Sequence, residues 1–165
     1  MAAALGTSAR ILMFHFKSKE GLLREVFEEL HAQLQRSFSE MLEVPPKRRG
    51  PPPLKRLWLW ATENETAFGQ MKLLYELQII AVQNPAEYGR YLKKSSGDWQ
   101  RLSLGAMSDG IRNQPMATLC VAVFDGLFLE FMSTGDRRGT GKALERFIAL
   151  ASKDIRPRLG RPRSK

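Results

Sequence analysis

The chain is poor in the residues that most often mark chemistry: one cysteine and two histidines in 165 residues. A single cysteine, Cys120, excludes a disulfide scaffold and fits a reducing compartment. The histidines, His15 and His31, are far apart and cannot build a familiar zinc site with it, so no metal and no cofactor are expected. No glycine-rich phosphate loop is present, and no stretch alternates apolar with polar residues, so no strand is predicted. No segment reaches the roughly 20 uninterrupted apolar residues of a bilayer span. The runs LCVAVF and GLFLEFM are broken by Asp125 and Glu130. No secretory signal is expected either. Little is left for catalysis: Cys120 reads as a core residue, and His31 is expected on the solvated side of its helix. A cytoplasmic, non-enzymatic protein with no membrane partner is expected.

Charge is present but unevenly placed. The formal net charge of +9 comes from two Pro-rich segments, 47–56 and 156–165, each with five basic residues and no acid. The other 145 residues carry a net charge of −1. Both basic segments are most simply solvated. Within the tail, Gly160-Arg161-Pro162-Arg163 weakly resembles hooks whose arginines enter narrow minor grooves.

Helical periodicity dominates. Leu22, Leu23, Val26, Phe27, Leu30, Leu34, Phe38, Met41 and Leu42 recur at three- and four-residue steps. Ser18 is placed to cap this helix, and Pro45-Pro46 to stop it. A helix beginning at Pro53 is predicted next, followed by helices over 66–83, 85–110, 115–134 and 140–155. Gly135 and Gly139 bracket a turn. The fold class is all-α.

The N-terminal segment carries the most information. Ala2 to Leu5 can close one helix, Gly6 supplies a turn, and Ser8 can cap a short helix from Ala9 to about His15. Helix, glycine turn and short helix is the layout of a helix-turn-helix. The run GTSARILMFHFKSKEGLL resembles the end of the DNA-binding domain of TetR-family bacterial regulators, whose pattern is approximately G-V-S-x-x-x-L-Y-x-H-F-x-S-K-x-x-L. Gly6, Ser8, Leu12, His15, Phe16, Ser18, Lys19, Leu22 and Leu23 match it.

The resemblance implies an all-α chain with a partial helix-turn-helix head (1–27), a helical ligand-binding and dimerisation body (28–155) and a basic tail (156–165). Ala9, Arg10 and Ile11 fall where family members read bases of double-stranded DNA. Ser8, His15 and Lys19 fall where they contact phosphates. Met13 stands at the usual tyrosine position, so that phosphate contact is absent or made otherwise. Thr7 replaces an apolar residue. Family heads have three helices and this sequence starts within the second; the expectation is a longer native product, with a truncated regulator as the alternative.

In the body, aromatic, methionine and amide side chains interleave. Trp60, Phe68, Met71, Tyr75, Gln78, Trp99 and Phe124 are the candidate wall of a ligand pocket. With few charges among them, a neutral or weakly polar ligand is expected. Two stripes, Leu119, Val123, Leu127 and Phe131, then Leu144, Phe147, Ile148 and Ala151, are the candidate homodimer interface. VFDGLFLEF, with Asp125-Gly126 at its centre, also resembles a family pattern. The expected function is a TetR-type regulator, a repressor released from a palindromic operator by a small, mostly apolar ligand. The alternative is a dimeric small-molecule-binding protein that does not bind DNA.

Overall fold

Residues 9–43, 50–107 and 109–153 are described by a computed structural model. Among them are seven α-helices, one 3-10 turn and no strand. The Pro45-Pro46 stop and the basic tail lie outside the described residues, as do residues 47–49 of the basic loop.

Local chemistry places most helix ends. α1 spans Ala9–Phe16 and α2 spans Lys19–Glu43. Between them the Ser18 hydroxyl accepts the Gly21 N–H at 2.9 Å, as an N-cap should. α3 (Pro53–Glu63) starts on a proline, whose missing N–H is no loss in a first turn. Asn64 then caps α4 (Glu65–Gln83) by accepting from the Ala67 N–H at 2.9 Å. α5 (Pro85–Ala106) again begins on proline. Asn113 caps α6 (Gln114–Thr134), accepting from Met116 N–H at 2.9 Å. Gly135, at φ 72°, ends it in the left-handed conformation that glycine adopts at little cost.

Two predicted limits shift. α7 (Arg137–Lys153) starts earlier than residue 140, because the Asp136 carboxylate accepts the Gly139 N–H at 2.8 Å and draws the chain into the helix. α5 stops at Ala106, where Met107 turns extended, and a 3-10 turn over Asp109–Ile111 follows.

α5 packs against α2, α4 and α6; α6 lies between α5 and α7; α3 rests on α2, α4 and α7. The core runs through Phe27, Leu34, Phe38, Trp58, Phe128 and Leu144. Each large side chain so buried stabilises by about 1.5–3 kcal/mol. The supposed boundary at residues 27/28 falls inside α2, which runs unbroken. α6 is long and apolar enough, by length and composition, to cross a membrane, with a mean hydropathy of 1.6. Asp125 and Glu130 do not lower it below that level. Its inner side is bundle core, made by Cys120, Phe124 and Phe128.

Candidate functional site

A cavity of about 460 Å³ opens among α2 to α7, within the size range of small-molecule sites. Its wall is mostly apolar, with Phe38, Leu57, Met71, Leu102, Phe124 and Ile148 as large contributors. Its polar side chains are Gln78, Ser95, Ser96, Ser103 and Ser152, and a bonded pair, Tyr75 and Asp125. The Tyr75 hydroxyl donates to Asp125 Oδ1 at 2.7 Å. Burial raises the Asp125 carboxyl above its ordinary range, and the bond from Tyr75 only partly offsets this. Burial and the adjacent carboxylate both push the Tyr75 phenol up, so it stays a donor. Cys120 also lines the cavity; burial raises its thiol, which makes it a weak nucleophile.

Of the residues expected in the wall, Met71, Tyr75, Gln78, Trp99 and Phe124 come together there. Trp60 does not: its ring meets Phe38 edge-on at 4.9 Å. Phe68 is also elsewhere, packed on Phe128 at 5.8 Å and Phe131 at 5.7 Å. Ser95, Leu102 and Asp125 were not among the expected residues. Helical spacing from Trp99 could have found two of them, since Ser95 precedes it by four residues and Leu102 follows it by three.

Most residues of the two stripes expected at a dimer interface also face inward within the single chain. Leu144 is fully buried in the single chain, and Phe147, Ile148 and Ala151 line the cavity. Val123, Leu127 and Phe131 are half-buried against the core. The reason is rotational: at 100° per residue, a series of four-residue steps drifts about 40° per step and turns inward from Leu119. Steps of three, four and three hold one face. That face is Leu119, Ala122, Gly126 and Leu129, with Leu119 46% and Leu129 53% exposed, and Leu150 at 50% on α7.

His31 is a second correction. It is 5% exposed, not solvated, because it lies on the same face as Phe27, Leu34 and Phe38. Its Nε2 lies 3.1 Å from Asp98 Oδ2, and its Nδ1 lies 3.3 Å from the Ser95 hydroxyl, so the ring is hydrogen-bonded on both sides. Asp98 also pairs with Arg101. Serine, histidine and aspartate in one chain resemble a nucleophile–base relay. However, Ser95 sits in mid-α5, where the surrounding backbone N–H groups are engaged in the helix and none is aimed at a developing oxyanion. The chain of bonds ties α2 to the cavity wall. Among the described residues, no group of three or more His, Cys, Asp or Glu side chains could hold a metal ion.

At the amino-terminal end, α1 joins α2 through a tight corner. Lys17 takes φ 62°, a left-handed conformation costly for a residue with a Cβ. A Cβ on Gly21 would stand 2.2 Å from the Phe16 carbonyl oxygen, so the corner requires glycine there. Ile11, Phe14, His15 and Lys19 are exposed, Phe14 by 82%. Ser8 lies outside the described residues, as do the side chains of Ala9, Arg10 and Met13. Comparison of the chain with protein-family models, curated proteins and solved structures gives no match.

Proposed function

We propose that the chain is a cytoplasmic TetR-type regulator: a homodimer that represses from a palindromic DNA operator and is released when a small molecule enters the cavity. The layout of α2 carries this reading. Its first turn is locked to α1 at the Gly21 corner. Its middle holds His31, bonded to Ser95 of the cavity wall. Its last turns place Phe38, Met41 and Leu42 in that wall. A ligand that displaces the wall therefore acts on α2, which carries Lys19 and is joined at the Gly21 corner to α1 with Arg10, Ile11 and His15, and allostery needs such an element biased by both sites. Twofold DNA calls for a twofold protein, and the bare face of α6 offers Ala122 and Gly126, small enough for close helix crossing, between two exposed leucines.

Footprinting and fluorescence anisotropy with duplexes from the DNA flanking its own gene test the proposal. Specific protection of a palindrome is expected. Arg10→Ala should weaken binding to the matching sequence, and Lys19→Ala to all sequences alike. Retention that is sequence-independent and vanishes between 50 and 200 mM salt, on the order of the loss expected for phosphate contacts alone, overturns it.

One observation favours the second reading, a small-molecule-binding dimer without DNA affinity. Phe14 presents an almost bare ring on α1, which is unusual for a finished DNA-reading surface. Ligand binding with no palindrome protection would establish that reading instead.

A further inference from the structure

We infer that the cavity takes a lipophilic amine, an apolar body bearing one ammonium group that seats against Asp125. This rests on the cavity being a ligand site, and it replaces the neutral ligand expected from the sequence. Among the described residues lining the cavity, Asp125 is the sole charged side chain; no lysine, arginine or histidine accompanies it. Tyr75 occupies Oδ1, and no hydrogen bond within the described residues reaches Oδ2. A carboxylate taken from water into an apolar wall without a cation is costly, and the upward shift of Asp125 reflects that cost.

An ammonium N–H at Oδ2 offsets the cost with a charge-assisted hydrogen bond. Phe38, Trp99 and Phe124, which line the cavity, also suit a cation, because aromatic rings attract positive charge. A neutral guest gains neither interaction, and an anion is repelled. The volume admits a body of one or two rings with a short chain. Asp125 thereby becomes a specificity residue through its carboxylate.

Three probes of one shape separate the possibilities: 4-phenylbutylamine, 4-phenylbutanol and 4-phenylbutyrate. Each is titrated into the full chain and followed by tryptophan fluorescence, which Trp99 reports from the wall, and by calorimetry. The amine should bind at least about tenfold tighter than the alcohol, with the carboxylate weakest. In Asp125→Asn the amine should lose about tenfold or more while the alcohol stays within about threefold. Tyr75→Phe keeps the carboxylate and should keep the amine preference, which covers the case in which Asp125→Asn fails to fold. Equal binding of amine and alcohol, or a preference that survives in folded Asp125→Asn, overturns the amine assignment and leaves the cavity as a ligand site. Binding of none of the three overturns both the assignment and the ligand-site reading beneath it.

Discussion

The bundle has a filled end and a hollow end, aromatic residues build both, and Tyr75 and Phe124 stand where the two meet. At the filled end Trp58 meets Phe124, Phe128 and Phe131 with ring centroids 5.9, 6.3 and 6.2 Å apart. Tyr75 stacks on Phe128 at 5.6 Å. At the hollow end Phe38, Trp99 and Leu102 face the cavity. What differs is the residue opposite. Gly141 lets α7 come close to Trp58, whose Nε1 lies 3.4 Å from where a Cβ would stand. Around the cavity the wall includes small side chains on three helices: Ser95, Ser103 and Ala106 of α5, Cys120 of α6 and Ala151 of α7. A large ring opposite a small residue fills space; small opposite small leaves a void. Ring content alone does not separate a core from a binding site.

Truncation should expose the contrast. Phe128→Ala is expected to cost about 3–5 kcal/mol in urea denaturation, since rings enclose that side chain on several sides. Leu102→Ala, at the cavity, should cost only about 1 kcal/mol, below the range for a packed leucine, because space is already open beside it. Comparable losses at both sites would break the distinction.

A smaller effect tests the charge in the hollow end. Burial raises the Asp125 carboxyl in the folded chain, so the folded state binds that proton more tightly than the unfolded one. The group's favourable contribution is complete below its unfolded pKa, about 4, and is lost as pH rises through the folded value. Asp125→Asn should therefore melt higher than the parent near neutral pH, with the gap closing toward pH ~4. A variant that melts lower at neutral pH would mean that ionised Asp125 stabilises the fold.

The smallest effect on stability belongs to the outer side of the same helix. Nothing lies within 4 Å of a Cβ built on Gly126. Gly126→Leu should leave the stability of the single chain within about 0.5–1 kcal/mol and should shift sedimentation from dimer to monomer. A sedimentation profile unchanged by the substitution removes this face from the proposed interface.

Much of the helical layout was legible because its signals are local. Ser18, Asn64, Asn113, Pro53, Pro85 and Gly135 each act within one helical turn, and each stands at the end its chemistry suggests. Errors arose where residue type was weighed above register. His31 was placed in solvent because histidine is polar, although its spacing from Phe27 and Leu34 puts it on the buried face. Leu144 is expected at a partner's surface because it belongs to an apolar stripe, yet that stripe faces the chain's own core and leaves Leu144 fully buried. Five of seven expected cavity residues line the cavity, but Asp125 was passed over as a motif element, with no hint that Tyr75, fifty residues earlier, would bond to it.

The sequence by itself therefore determined the seven helices of the described residues and most of their limits, since capping, proline geometry and apolar periodicity are short-range effects carried by neighbouring residues. It also settled where the basic charge lies. Only the tertiary structure decided which rings close a core and which line a void, because that depends on the size of a facing residue on another helix. The same holds for Asp125. A carboxylate in an apolar helix is visible in the sequence, but whether it meets a cation, a tyrosine or an empty cavity depends on how six helices are brought together.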